Sequence, residues 1–445
     1  MRRQAATERG LTRRVHDLGF GQVGDPRVKG KVRHHLASIL TGLVAAMVTK
    51  ARSLREVEQR TSELTARHGR WQGIKGRIAD NTFGRLLTRL KLKELVACLH
   101  RLIKAEHRRG NLKPTVLPMG TIAIDGKNVA TLHWHELCRV LELDAVTATR
   151  SQVEARLRKE YPEAQLCTSD QEKTYALMRV HTVTLVSSAA SVCIHQRPIA
   201  GCTNELGSMP ALLDELKVAY GRTGLFRLVT MDTGNTSLRA ATKITRLGLD
   251  YFGQLKTPQG EIYAEAEREL GLRRMGRAHA HYADQQNGHT AKYYAWCHDL
   301  TEEGWLDWHH ARQLVRVRRV VTDQATGKSI SKGERYCVTS LPPGELSARD
   351  ALKVARAHWR CENGTHWTAD AEMQEDRRQL SWSRHPRGIL AVSLLRMMAL
   401  SILAIARQLS SIGYSKETPT WAQVAGHFLL QLCAGVLETG AFNDV

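Results

Sequence analysis

Thr121-Ile122-Ala123-Ile124-Asp125-Gly126 decides the fold. After a basic, helical-period stretch ending in His107-Arg108-Arg109-Gly110, this run switches to an extended period. It reads as a buried strand that stops at a carboxylate and a glycine. Phe226 to Met231 repeats the signature and stops at Asp232. An acid ending an apolar strand is usually a turn residue or a helix cap. Two of them on neighbouring strands favour metal binding, because a charge there is costly to bury unless something holds it.

Working outward, Leu177 to Val186 and Ser191 to Arg197 read as paired strands, Met209 to Tyr220 as an amphipathic helix, Thr236 to Leu247 as another, and Tyr251 to Lys256 as a strand. The order strand, hairpin, helix, strand, helix, strand predicts an α/β domain on a mixed sheet with flanking helices, which collects ligands at the carboxyl ends of its strands. Residues 133–174 form a polar, partly helical excursion, with a helix near Ser151 to Lys159. A β-rich insertion at about 271–345 carries strands at Tyr293 to Cys297, Leu314 to Thr322 and Arg335 to Leu341, the last two joined by a turn at Ala325 to Lys328. Helix is expected from Ala348 to about Arg378, and a long apolar helix from Ile389 to Leu409 beneath the sheet.

The third acid lies in that penultimate helix. In His358-Trp359-Arg360-Cys361-Glu362-Asn363-Gly364-Thr365-His366-Trp367-Thr368-Ala369-Asp370, residues Glu362, His366 and Asp370 follow i, i+4, i+8 and should share one helix face. Alone, this is equally a polar surface stripe. With Asp125 and Asp232 it completes a set of hard oxygen ligands suited to two Mg²⁺ or Mn²⁺ ions, which can activate a water or 3′ hydroxyl for in-line attack on a phosphodiester.

The formal net charge is +21, far beyond what solubility needs, and points to a polyanionic partner or an acidic membrane surface. Residues 1–110 hold 25 Lys plus Arg against 9 Asp plus Glu, so most of the surplus is N-terminal. Residues 1–33 read as a basic arm that orders on its partner, and residues 34–113 as a helical DNA-binding region. There, Leu36 to Val48 is an apolar helix and Ser53 caps a second, with Glu56 three residues on. A further helix starts after Asp80 or Asn81, with Phe83, Leu86, Leu87 and Leu90 on one face and Arg85 and Arg89 on another. The pair is compatible with a helix-turn-helix and equally with a plain bundle having a solvated basic face. Residues 114–445 then form the catalytic domain.

Neither Leu36 to Val48 nor Gly388 to Ala406, which carries Arg396, gives the roughly 20 clean apolar residues of a membrane span. Met-Arg-Arg-Gln leads into no apolar export signal, and nine scattered cysteines without a Cys-x-x-Cys pair fit a reducing compartment. A cytoplasmic location without membrane attachment is expected.

Together these motifs resemble the DDE transposases of bacterial insertion sequences, and among them the ISAs1 group of the IS4 type. Ile124-Asp125-Gly126-Lys127 resembles the first acidic motif and Leu228-Val229-Thr230-Met231-Asp232 the second. Asn204-Glu205, Asp250-Tyr251, Lys256 and Gln259 resemble connecting pieces. His358-Trp359, Glu362-Asn363, His366-Trp367, Asp370 and Glu375-Asp376 resemble the C-terminal signature. Asp25-Pro26-Arg27 to Glu58 is similar to the accompanying N-terminal region, whereas Thr233-Gly234-Asn235 departs from an Ala-centred stretch.

The resemblance implies an RNase H-like core, with Asp125, Asp232 and Glu362 as catalytic metal ligands and Lys127, Lys256, Asn363, His366 and Asp370 close by. It implies cleavage of element ends and strand transfer into double-stranded target DNA at the bacterial nucleoid, by a homodimer bridging two ends. Arg27, Lys29, Lys31, Arg33, Arg85, Arg89, Arg316, Arg318, Arg377 and Arg378 are the expected DNA contacts. Two other readings stay open: an RNase H-like nuclease that cuts without joining, and a decayed or domesticated transposase that only binds DNA.

Overall fold

The computed structural model describes residues 13–271, 276–286, 288–301, 306–411 and 418–433. After a helical turn at 13–17, four longer helices follow: α1 (Leu36–Val48), α2 (Leu54–His68), α3 (Asp80–Leu87) and α4 (Leu92–Arg108). Helix α1 is apolar all round and correspondingly buried all round. Ser53 caps α2 by accepting a hydrogen bond from the Glu56 amide at 3.2 Å. Residues 69–79 connect α2 to α3 through a Trp71/Ile74 bridge, longer than the three or four residues of a tight helix-turn-helix.

Residues 13–33, expected as an arm, instead pack on this bundle. Leu18, Phe20 and Val23 are buried, and the Arg14 guanidinium pairs with buried Glu106 of α4 at 3.2 Å. Apolar side chains spaced between the basic ones give the segment a surface to bury, which charge counting overlooks. Residues 1–12 lie outside the described residues.

The chain then runs β1 (Thr121–His133), α5 (Trp134–Val140), α6 (Arg150–Glu160), β2 (Ala164–Thr168), β3 (Thr174–Leu185), β4 (Val192–Pro198), α7 (Glu205–Tyr220), β5 (Leu228–Met231), α8 (Leu238–Arg246), β6 (Asp250–Leu255) and α9 (Glu261–Leu270). Next come β7 (Ala280–Gln286), β8 (His289–Asp299), β9 (Gln313–Asp323), β10 (Ser329–Thr339) and α10 (Ala348–His358). A π-helical segment at Cys361–His366 precedes α11 (Trp367–Met373), α12 (Glu375–Arg378), α13 (Pro386–Ser411) and α14 (Trp421–Cys433).

One mixed ten-stranded sheet organises the molecule, in the order β2-β3-β1-β5-β6-β10-β9-β8-β7, with β4 also on β3. Strands β1, β5 and β6 are mutually parallel. The β-rich insertion is continuous with this sheet, because β10 pairs antiparallel with β6 from Tyr336↔Leu255 to Thr339↔Phe252. Residues 133–174 close their own small core, in which Leu137, Leu141, Val153 and Leu157 pack against Val129, Leu132 and Met178.

The two faces of the sheet are covered differently. Ala123, Leu228, Phe252, Val315 and Cys337 pack against Leu352, Val354 and Ala357 of α10. Ile122, Ile124, Val229 and Met231 share a core with α7, α8, α13 and the N-terminal helices. Helix α13 is long and apolar enough to cross a membrane by composition, but it is buried inside the protein, where its Arg396 is neutralised by Glu375 at 2.8 Å.

Candidate active site

Strand β1 does not end at Asp125, because its antiparallel ladder with β3 continues to His133↔Tyr175. What ends is its other edge: the parallel ladder with β5 stops at Ile124↔Met231. The next residues on the two strands are Asp125 and Asp232, so both carboxylates emerge side by side where β5 gives way. A parallel pair opens its ligand crevice at this carboxyl edge.

Each aspartate is held. One carboxylate oxygen of Asp125 accepts the Gly126 amide at 2.8 Å, and the other lies 3.4 Å from Nδ1 of His366. Oδ1 of Asp232 accepts from both the amide and the side-chain nitrogen of Asn235, each at 2.9 Å.

Glu362 sits in the π-helical segment, not in a regular helix. The wider turn breaks the i, i+4, i+8 register, and the helix expected to about Arg378 is interrupted there and again at Gln374, whose φ is 52°. Tertiary anchors fix this irregular segment. Thr184 of β3 meets Sγ of Cys361 at 3.3 Å and donates to Thr365 at 3.2 Å. Arg360 donates to the carbonyls of Val186, Ser188 and Ala189 at 2.7 to 3.0 Å. Nδ1 of His358 lies 3.0 Å from the Thr230 hydroxyl, two residues before Asp232.

A fourth acid joins the three. Glu205, in the first turn of α7, accepts from Asn235 at 3.3 Å, so this one amide bridges Glu205 and Asp232. Gly126 makes room for it: a Cβ there would fall 2.1 Å from Oε1 of Glu205. Burial first, then the charges of Glu362, Asp232 and Glu205, push the Asp125 carboxyl up to about 7. Burial and Asp232 likewise raise both Glu205 and Glu362. Among the described residues no lysine or arginine forms an ion pair with any of the four.

The donor set suits a hard divalent cation. Cys361 and His366 also come within 4.8 Å of Asp125. In the metal-free protein burial pushes the Cys361 thiol far up, so it stays protonated beside the Thr184 hydroxyl. Burial also lowers His366 to about 4, leaving a neutral ring beside Asp125 at neutral pH.

A protein-family model described as "Transposase DDE domain" matches residues 118–398, well over half of the chain. The chain belongs to this family. A second model, "DDE_Tnp_1-associated", matches residues 19–103. Curated relatives include the "H repeat-associated putative transposase YhhI" of Escherichia coli K12, 26% identical over 207 residues (44% of this chain, 52% of the relative). The "Putative transposase YncI" of E. coli O157:H7 is 26% identical over 236 residues (50% and 56%). The chain thus spans about half the length of the curated relatives it matches. A piggyBac transposase synaptic complex with hairpin DNA, solved by cryo-electron microscopy, aligns over 98% of this chain and 80% of its own at 11% identity and a TM-score of 0.41.

Of the residues expected near the acids, Lys127 turns to a separate network, donating to Asp370 and meeting Glu375, both at 2.8 Å. Lys256 is exposed and lines a cavity of about 770 Å³ with Thr233, Gln254 and Arg335. Asn363 is exposed and borders a second cavity.

The expected DNA contacts divide. Lys29, Arg33, Arg85, Arg89, Arg377 and Arg378 are exposed, and the side chain of Lys31 lies outside the described ones. Arg27 is tied to Asp25 at 2.6 Å and to the His34 carbonyl at 2.8 Å. Arg316 is fully buried, pairing with Glu334 at 2.6 Å and stacking on Trp296, and so reaches no partner from solvent. Arg318 projects from the same face of β9, beside Tyr294 and Trp296, away from the acids. Sequence reasoning missed Arg319, whose opposite parity turns it toward the α10 side. It also left Glu205 outside the acid set and gave Arg360 no role. An acid in a first helical turn looks like an ordinary dipole partner, and only the Gly126 gap marks Glu205 as different.

Proposed function

We propose that this chain is the transposase of a bacterial insertion sequence of the ISAs1 type, cutting element ends and joining them to target DNA. In this reading β4-β3-β1-β5-β6 is an RNase H-like core, residues up to 113 bind DNA, and β7 to β10 form an insertion that flanks the site. The observation that carries it is the group of four carboxylates at the β1/β5 edge, to which no lysine or arginine among the described residues is paired. Such a group is stable when a divalent cation completes it.

Asp125, Asp232 and Glu362 would hold Mg²⁺ or Mn²⁺, with Glu205 in reach. Two such ions supply activation of the attacking water or 3′ hydroxyl and neutralisation of the leaving 3′ oxygen. The protein's part is preorganisation. Asn235 locks Asp232, neutral His366 orients Asp125 without cancelling its charge, and the Thr184 and Arg360 anchors hold Glu362 opposite them. The first displacement breaks the bond between phosphorus and the 3′ oxygen and leaves a free 3′ hydroxyl. In the second, that hydroxyl attacks a target phosphodiester and releases a new 3′ hydroxyl. Both element ends must react together, so a homodimer on double-stranded DNA is the expected active form.

The test is an assay with the element's own ends and Mg²⁺ or Mn²⁺. Glu362→Gln should retain DNA binding while cleavage falls by on the order of 10³-fold, about 4 kcal/mol of barrier. A pre-cleaved 3′ end should be joined to a target duplex by the wild type. Cleavage without joining would make the chain a nuclease. Binding without Mg²⁺ dependence or cleavage would leave only a DNA-binding protein.

A further inference from the structure

A cavity of about 540 Å³ opens between β9, β10 and α10, directly beside the acids. Thr230 and Met231, which lead into Asp232, form one part of its wall, and Trp359 and Asn363, on either side of Glu362 in sequence, form another. Among the described residues its charged lining is of one sign: Arg319, Lys332, Arg335 and Arg356 contribute, and no carboxylate does. A strongly acidic cluster and a cavity with only basic charges thus share a border.

Two of these arginines lie over aromatic rings. The Arg335 guanidinium lies 4.0 Å from the centre of the Trp359 ring, and Arg356 lies 4.2 and 4.4 Å from Tyr282 and Tyr293. Arg356 is also tethered to Asp284 at 3.1 Å. Among the described residues the Arg335 guanidinium has no hydrogen-bond or ion-pair partner, so the Trp359 ring is its main contact and its N–H donors remain free. A guanidinium of this kind offers its edge to a phosphate and its open face to a base.

We propose that this cavity seats an unpaired DNA strand next to the scissile phosphate, with Arg335 and Lys332 on its phosphates and the ring-backed planes of Arg335 and Arg356 against its bases. The inference rests on the transposase reading above and adds the seat of the substrate strand. A volume of about 540 Å³ falls in the ~300–1,000 Å³ range of small-ligand sites. That is room for a nucleotide or so of one strand, and only an unpaired base exposes a face for stacking.

The test uses the full-length chain and a dT15 oligonucleotide carrying 5-iodouracil, photo-crosslinked without divalent metal and mapped by mass spectrometry. Crosslinks are expected at Trp359 or Tyr293. In an Arg335→Ala/Lys332→Ala chain their yield should fall about tenfold, and the slope of log affinity against log salt should drop by about 1.4, from two lost phosphate contacts. Arg318→Ala, on the other face of β9, should change neither, and unaltered thermal melting would show that the variants are folded. The proposal is overturned by crosslinks confined to residues outside the cavity, by equal losses in Arg318→Ala, or by equal crosslinking of a dT15·dA15 duplex. Neither cleavage nor divalent metal enters the readout. Failure of the catalytic reading and failure of this one therefore look different.

Discussion

Asp125 and Lys127 stand two residues apart on the same face of β1, and they enter two carboxylate clusters that obey opposite rules. Lys127 joins Asp370, Glu375 and Arg396. Glu375 is wholly buried, and although burial alone would raise its carboxyl, Lys127 and Arg396 more than reverse this and hold it at about 2. Asp125 joins Asp232, Glu205 and Glu362, where burial and three like charges raise its carboxyl to about 7. The first cluster is complete and ties β1 to α11, α12 and α13. The second is left with surplus negative charge. A buried ion network made for stability closes its own charges, whereas one made for a ligand leaves them open.

The sharpest way to break the contrast is to remove one partner from the closed cluster. Glu375→Gln leaves Lys127 and Arg396 with less compensation in the core and should lower unfolding stability by about 3–5 kcal/mol. Its pH signature is set by a depressed carboxyl: the stabilisation is present above about 4.5, its usual value, and is lost as pH falls through about 2. Urea midpoints of variant and wild type should therefore converge in strong acid.

The open cluster should behave in the reverse sense. Because the Asp125 carboxyl is raised from its usual 3.8 to about 7, the folded state retains a proton that the unfolded chain releases, so metal-free stability declines across that window. Asp125→Asn removes the decline and should stabilise the metal-free chain above pH 7, by as much as about 4 kcal/mol for a shift of about three units. Urea midpoints at pH 5 and pH 8 would show it. A smaller effect sharpens the place of Glu205. Gly126→Ala forces that carboxylate away and should weaken Mn²⁺ binding about tenfold with the fold intact, as monitored by the metal's relaxivity.

Much of this was legible in the sequence. The apolar runs ending at Asp125 and Asp232 located the two neighbouring strands β1 and β5, because a buried strand's composition is a local property, but not their parallel pairing. The helix Leu36–Val48 and the Ser53 cap were equally local. What was hidden depends on register and tertiary pairing. Nothing in Gly126 to His133 says that β3 will extend β1 past the acid. The choice between Arg318 and Arg319 turns on the parity of a single ladder. The π-helical segment around Glu362 is one residue out of helical phase, and it is held by Thr184 and Arg360, partners that no local pattern links to it. Leu18 and Phe20 were masked by the arginines around them.

The central claim is that the open carboxylates are completed by a divalent cation. Isothermal titration of Mn²⁺ into the metal-free, full-length protein tests it most directly, comparing wild type with Glu362→Gln and Lys127→Met. The account predicts saturable binding in the wild type, loss of it in Glu362→Gln, and its retention in any folded Lys127→Met protein. Wild-type affinity in Glu362→Gln, or no saturable binding in the wild type, would contradict it.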